Sequence, residues 1–195
     1  MKKLLSEIRT CEHCRGMLPH APRPVLSMSS RSRIIIIGQA PGRKVHASGI
    51  PWDDQSGRIL RGWLGVDSES FYDVHNFAIV PMGFCYPGHG QHGDLPPRAE
   101  CAGKWHPVIM PRLKKARLTL LVGWYAQKYY LGKHAAPTLT ETVINFRKYL
   151  PDFFPLVHPS PRNGIWLRKN PWFEKDVIPV LRQNVKEILK NQPEN

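Results

Sequence analysis

The amino-acid sequence predicts an α/β fold, a three-layer α/β/α sandwich around a central, largely parallel four-stranded sheet. Short apolar segments alternate with helical ones along the chain, a pattern typical of parallel sheets covered by helices. Residues 33–37 contain four consecutive isoleucines, and an unbroken β-branched run predicts a strand buried on both faces. The 195 residues suffice for one domain with a sizeable core, so we expect a single domain over residues 1–195.

The other elements follow from the same patterns of apolar and turn-forming residues. The sequence predicts helices at residues 2–9 and 56–64, and strands at 75–82, 118–122 and 153–157. The last helix has one apolar face. We expect Asp176 to be its N-cap and Pro179 to lie in its first turn, where proline is tolerated.

The charge of the chain indicates a polyanionic partner. Lys and Arg number 28 against 15 Asp and Glu, a formal net charge of +13, which attracts DNA or RNA first and an anionic membrane surface second. A basic protein with no nucleic-acid role is the other interpretation. No apolar run approaches the roughly 18 residues of a spanning helix, and the first residues make a poor signal peptide. We therefore expect a cytoplasmic monomer with no membrane association.

Unusual loops follow three of the predicted strands, and ligands of parallel sheets bind beyond the carboxyl ends of the strands. The first loop is Gly38-Gln39-Ala40-Pro41-Gly42. Its glycines permit a ligand to approach the backbone closely, and its proline fixes the turn. A tight strand-to-helix turn without any function needs the same residues. The loop is not a P-loop, because no Gly-Lys-Ser/Thr follows it.

Two ring-bearing side chains are candidates for the same cleft. Trp52 lies in a loop, where it would stack on a flat base or else pack in the core. His158 ends the fourth strand, where it would donate a hydrogen bond to an anion formed in a reaction or else be a polar end of the core. Ser160 would cap a turn or bind phosphate.

Together, and in this order, these elements resemble the uracil-DNA glycosylase superfamily. Residues 38–42 resemble its first motif, and residues 158–161 (His-Pro-Ser-Pro) resemble its last. The closest branch is the iron–sulfur one, whose first motif is Gly-Glu-Ala-Pro-Gly and which has a uracil-stacking aromatic residue at the position of Trp52. The resemblance implies a DNA glycosylase that hydrolyses the bond between a base and its sugar. No motif places a lysine as a nucleophile, so we expect a monofunctional enzyme.

The four cysteines fit the same branch. Cys11 and Cys14 form a C-x-x-C pair, and Cys85 and Cys101 are sixteen positions apart. Their order and spacing resemble the ligands of the branch's structural [4Fe–4S] cluster, which four thiolates complete. A four-thiolate zinc site is one alternative, and four unrelated buried thiols are the other.

The sequence departs from the family at three places. Gln39 and Ala40 stand where other members carry carboxylates. Pro81 stands at the position of the asparagine that reads uracil, and a proline side chain has no hydrogen-bonding group, so we expect weak uracil specificity. Asp53 and Asp54 follow Trp52. They would cap the next helix, or else orient water or contact a base that carries an amino group.

These observations define a candidate site. The catalytic candidates are His158, Gln39 and Asp53. The base-binding candidates are Gly38, Ala40, Pro41, Gly42, Trp52 and Pro81. The candidates for DNA contacts are Lys44, Arg58, Ser160, Arg162 and Asn163. Phosphate contacts would hold the DNA while the target base turns out of the stack. The substrate base would be uracil, hypoxanthine or xanthine, and a non-catalytic nucleic-acid-binding relative is the alternative.

Overall fold

The computed structural model describes residues 1–91 and 93–190. The strands within these residues are β1 (Ile34–Ile37), β2 (Phe77–Ile79), β3 (His89–Gly90), β4 (Gly93–Asp94), β5 (Leu118–Val122) and β6 (Phe153–Leu156). Strands β2, β1, β5 and β6 pair in that order, and every pairing is parallel. Strands β3 and β4 form a separate antiparallel hairpin.

Helices cover both faces of the sheet. The α-helices of the described residues are α1 (Lys2–Arg9), α2 (Arg43–Ser48), α3 (Gln55–Leu64), α4 (Ser68–Tyr72), α5 (Ala99–Ile109), α6 (Trp124–Leu131), α7 (Leu139–Ile144), α8 (Gly164–Lys169) and α9 (Ile178–Lys190). In this part of the chain no helix is both long and apolar enough to cross a membrane.

Strand β1 shows why the sheet is covered on both sides. Ile34 and Ile36 pack in a core that includes α3 and α9, whereas Ile35 and Ile37 pack in a second core with α1, α5 and α6. All four isoleucines are at most 3% exposed. The α/β/α sandwich is therefore confirmed, and its sheet is parallel throughout.

The predicted elements differ from the observed ones mainly at their ends. The strand predicted at 118–122 is β5 and has its predicted bounds, whereas the strand predicted at 75–82 is β2 and is limited to Phe77–Ile79. The prediction that Asp176 is the N-cap of the last helix is wrong. It lies within a π-helical turn, Phe173–Val177, that runs directly into α9. Phe173 and Val177 are buried in the core, and this packing continues the helix upstream because tertiary burial outweighs a local capping preference.

The strand order places a crevice at the carboxyl edge of the sheet. The chain passes from β1 to β2 on one side and later returns to β5 on the other side of β1. The loops after β1 and β5 therefore leave in opposite directions. Such a switch point opens a crevice, which is where ligands of parallel sheets bind.

Candidate active site

A cavity of about 340 Å³ lies in this crevice, at the lower end of the range for small-molecule sites. The loops after β1, β2 and β6 meet there, as the sequence predicts. Ten of the predicted site residues line it, namely Gly38, Gln39, Ala40, Pro41, Gly42, Trp52, Pro81, His158, Ser160 and Arg162.

Backbone hydrogen bonds from the segment after β2 hold the loop that follows β1. Met82 N–H donates to the Gly38 carbonyl and Gly83 N–H to the Gln39 carbonyl, each at 2.9 Å. A Cβ on Gly38 would lie 2.8 Å from the Trp52 ring, so glycine is needed where the indole crosses the backbone. The Gln39 side-chain amide donates to the Leu95 carbonyl at 3.3 Å. The loop is thus fixed before any ligand arrives.

Trp52 forms one wall of the cavity. Its φ of +57° lies in the left-handed region, which a bulky residue rarely adopts. A Cβ on Gly57 would lie 1.8 Å from the Trp52 carbonyl oxygen, so the turn depends on close contact with α3. The half-buried indole packs on the core and also lines the cavity. The core-packing interpretation is therefore confirmed in part, and stacking on a base stays a prediction.

His158 lies beside the Trp52 ring, with 5.6 Å between the ring centroids, and both side chains line the cavity. Its carbonyl accepts hydrogen bonds from Ser160 N–H and from the Asn163 side-chain amide, at 2.8 and 2.7 Å. Burial lowers the pKa of His158 below its ordinary value, although the carboxylates of Asp54 and Asp94 act in the opposite direction. The imidazole is therefore neutral at pH 7 and keeps one N–H to donate.

Asp54, rather than the predicted Asp53, lines the cavity. Asp54 is the N-cap of α3, and its Oδ1 accepts from Gly57 N–H at 2.8 Å. This confirms the capping interpretation for one of the two acids. Asp53 is exposed and is not part of the cavity lining. The N-cap geometry turns one of the two adjacent side chains inward and leaves the other in solvent.

Pro81 lines the cavity at the position expected for base recognition, and a buried network supports it from behind. His106 is 1% exposed. Its Nε2 lies 3.0 Å from the Pro81 carbonyl, and its Nδ1 lies 2.6 Å from the Tyr130 hydroxyl. The carbonyl must accept, so Nε2 carries the proton and the tyrosine donates to Nδ1. Asn76 does not replace a base-reading asparagine, because its amide bonds Arg33 and Ser70.

The residues predicted to contact DNA fall into two groups. Lys44 and Arg58 are exposed on α2 and α3, outside the cavity lining. The others shape the loop after β6. The Ser160 hydroxyl accepts from Arg162 N–H at 3.2 Å and so caps a short turn, and Asn163 holds the His158 carbonyl. Arg162 reaches across the β3–β4 hairpin, with its Nη1 2.6 Å from where a Gly93 Cβ would be.

Besides His106, sequence reasoning missed two polar side chains. Asp94, on the hairpin, lines the cavity. Two-residue strands leave no alternating pattern that would reveal such a hairpin. Gln127 is fully buried on α6 and donates to the Leu156 carbonyl at 2.9 Å, where β6 ends before His158. No helix is predicted from the sequence over residues 124–131, so no local signal revealed it.

The four cysteines line a second, smaller cavity together with Phe84, Trp105 and other side chains. Cys101 Sγ accepts from Phe84 N–H at 3.3 Å. Burial raises the pKa of Cys85 to about 11 and that of Cys101 to about 12, while backbone N–H donors act against this shift. The chain therefore brings the thiols of both predicted pairs to one place, although they are distant in sequence.

A comparison with protein families finds a match over most of the chain. A family model described as "Uracil DNA glycosylase superfamily" matches residues 27–182. The match begins before β1 and ends within α9, so it includes the loops after β1, β2 and β6 that meet at the cavity.

Proposed function

The chain belongs to the uracil DNA glycosylase superfamily, and from this premise we propose that it is a monofunctional DNA glycosylase that removes a deaminated base. The observation that carries the proposal is the convergence of Trp52, His158 and the first loop on one cavity. A flat aromatic wall suits a flat heterocycle, and a neutral imidazole beside it suits a leaving group that becomes an anion.

In the proposed reaction, the bond between the sugar C1′ and the base nitrogen breaks, and both bonding electrons leave with the base. The His158 N–H donates a hydrogen bond to the base as negative charge develops, which stabilises the transition state more than the ground state. Water bonds to C1′, and the proton that it loses balances the anionic base. The products are an abasic sugar and a neutral base.

Hydrolysis by water is favoured over a Schiff-base lyase mechanism. A lyase needs an amine that attacks C1′, and among the described residues that line the cavity there is no lysine. This composition supports the monofunctional assignment.

The surface around the cavity fits a DNA partner. Lys44 and Arg58 are exposed on helices that begin beside the cavity, and Arg162 lines it. These cations would bind phosphates while the base enters the cavity. Ile165, in the first turn of α8 after the 158–163 loop, is 61% exposed, and an exposed apolar side chain here would fill the gap in the base stack.

We also propose that Cys11, Cys14, Cys85 and Cys101 hold a [4Fe–4S] cluster, with zinc as the alternative. The four thiols line one cavity, and backbone N–H groups that donate to Cys85 and Cys101 partly offset the burial that raises the pKa of both thiols. Among the described residues, no group of three or more His, Cys, Asp or Glu side chains is placed to hold a metal ion, so the proposal rests on the shared cavity and on the order and spacing of the cysteines.

The ligated cysteines would have a structural role. Cys11 and Cys14 follow α1, Cys85 lies in the loop after β2, and Cys101 is in α5. When bound, the cluster would supply a covalent cross-link among these segments. The loop after β2 also carries Pro81, so the cross-link would hold one wall of the active site in place.

The non-catalytic nucleic-acid-binding relative remains the second candidate, because the loop after β1 carries no carboxylate. One experiment separates the two. The purified chain is incubated with single- and double-stranded oligonucleotides that contain uracil, hypoxanthine or xanthine, and abasic sites are then cleaved with alkali. We expect strand cleavage with at least one base, and slow release of uracil. Tight binding without cleavage for any base would contradict the enzyme and favour the binding module.

A further inference from the structure

The β3–β4 hairpin brings a carboxylate to the cavity that no motif of the sequence indicates. Asp94 ends β4 and lines the same cavity as His158 and Trp52. The loop after β1 supplies no carboxylate, because Gln39 is an amide bonded to Leu95 and Ala40 is apolar. Among the described residues, the acids that line the cavity are Asp54 and Asp94.

Asp54 is already committed to a structural role. Its Oδ1 caps α3 by accepting from Gly57 N–H at 2.8 Å, and such a cap stabilises the start of a helix. Asp94 caps no helix. Its side chain is 41% exposed and therefore open to water.

The surroundings of Asp94 orient its carboxylate. On one side, Oδ1 lies 3.5 Å from the Tyr86 hydroxyl and 3.4 Å from Nδ1 of His89. On the other side, Oδ2 would lie 3.2 Å from a Cβ placed on Gly42. One oxygen therefore faces the hairpin and the other faces the loop after β1.

The hairpin itself is held against both loops that form the cavity. The Gln39 amide bonds the Leu95 carbonyl from the loop after β1. Leu95 N–H closes the hairpin by donating to the Gly88 carbonyl at 2.9 Å. From the loop after β6, Arg162 lies over Gly93. These contacts fix Asp94 relative to His158, whose ionisation its charge already affects.

We propose that Asp94 is the catalytic carboxylate that orients the attacking water. The assignment rests on the proposed glycosylase function. As the bond between C1′ and the base breaks, the Asp94 carboxylate accepts a hydrogen bond from the water whose oxygen bonds to C1′, so the carboxylate acts in the step that releases the base. The water proton passes to the carboxylate and then to solvent, and the departing base takes up one proton. His158 and Asp94 thus act on opposite partners, the leaving base and the incoming water.

The test is Asp94→Asn, which keeps the shape of the side chain and removes its charge. Its matched control is Asp152→Asn, which makes the same charge change at an exposed residue beside the amino end of β6, at the opposite edge of the sheet. Single-turnover release is measured on whichever of the uracil, hypoxanthine and xanthine oligonucleotides the wild type cleaves. Affinity is measured with an oligonucleotide that carries a tetrahydrofuran abasic analogue, and thermal stability on the same preparations.

We expect Asp94→Asn to slow release by about a hundredfold or more, the usual contribution of general acid–base groups. Affinity and melting temperature should match those of Asp152→Asn, and Asp152→Asn should cleave at the wild-type rate. Release by Asp94→Asn within threefold of wild type would overturn the assignment. A rate loss matched by lost affinity or lower melting temperature would assign Asp94 to the hairpin fold instead. A wild type that releases no base would contradict the proposed function, and this assignment with it.

Discussion

Gly57→Ala tests the contact on which the cavity wall depends. The new Cβ would lie 1.8 Å from the Trp52 carbonyl oxygen and 2.9 Å from the Trp52 Cβ, and real Cβ contacts stay above 3.0 Å. Relief of the shorter contact needs a shift of roughly 1.2 Å, and overpacking of this kind costs about 1–3 kcal/mol. Because the atom is backbone, the turn itself must move, and the indole would leave its place over Gly38.

Gly62→Ala is the matched control, because Gly62 is in the same helix and a Cβ there meets nothing within 4 Å. Alanine in an open helical position stabilises by about 0.4–1 kcal/mol. We therefore expect Gly62→Ala to raise the free energy of unfolding and Gly57→Ala to lower it, with base release reduced only in Gly57→Ala. Urea unfolding of both variants measures the difference. Equal stability of the two would refute the close approach of Trp52 to α3.

Three further predictions concern His158, pH and the cysteines. We expect His158→Ala to lower the single-turnover rate by about a hundredfold to a thousandfold. Substrate affinity should change less than about threefold, because phosphate contacts hold the complex. An unchanged rate in stably folded protein would remove His158 from the mechanism. Burial lowers the pKa of both His106 and His158, so below pH of about 6.5 the unfolded chain binds protons that the folded chain does not. The free energy of unfolding should therefore fall as the pH drops below about 6.5, by up to about 1.4 kcal/mol per pH unit for each histidine. Urea titrations at pH 7.5 and 5.5 measure this free energy. A free energy of unfolding that rises on acidification would contradict the prediction. Protein purified without oxygen should be brown and contain about four irons per chain, and Cys101→Ser should reduce both iron content and melting temperature. One zinc per chain would favour the alternative metal, and folded protein with neither metal would reject both sites.

Local patterns were sufficient for the layers of the fold and for the first and last loops of the site. The isoleucine run of β1 is apolar at every position, which occurs when both faces of a strand are buried, and this alone indicates helices on both sides. The carboxyl ends of parallel strands share one edge, so residues 38–42 and His158 could be placed together before any coordinates.

The distances between side chains of the site could not be predicted from the sequence and required the tertiary structure. Asp53 and Asp54 are adjacent acids with equal capping preference, and only the path of the chain around Trp52 decides that Asp54 faces the cavity. Gln127 and His106 satisfy backbone carbonyls of segments that are distant in sequence, so no local pattern indicates them.

The sequence by itself determined the α/β class and the pairing of the loops after β1 and β6, because hydrophobic periodicity and strand direction are local properties of the chain. Only the tertiary structure decided which carboxylates reach the cavity. Asp94 arrives on a hairpin of two-residue strands, held by a bond from Gln39 to Leu95 and by Arg162 over Gly93. Those contacts join segments 56 and 69 residues apart, and residues so far apart meet only when the packing of the whole chain brings their segments together.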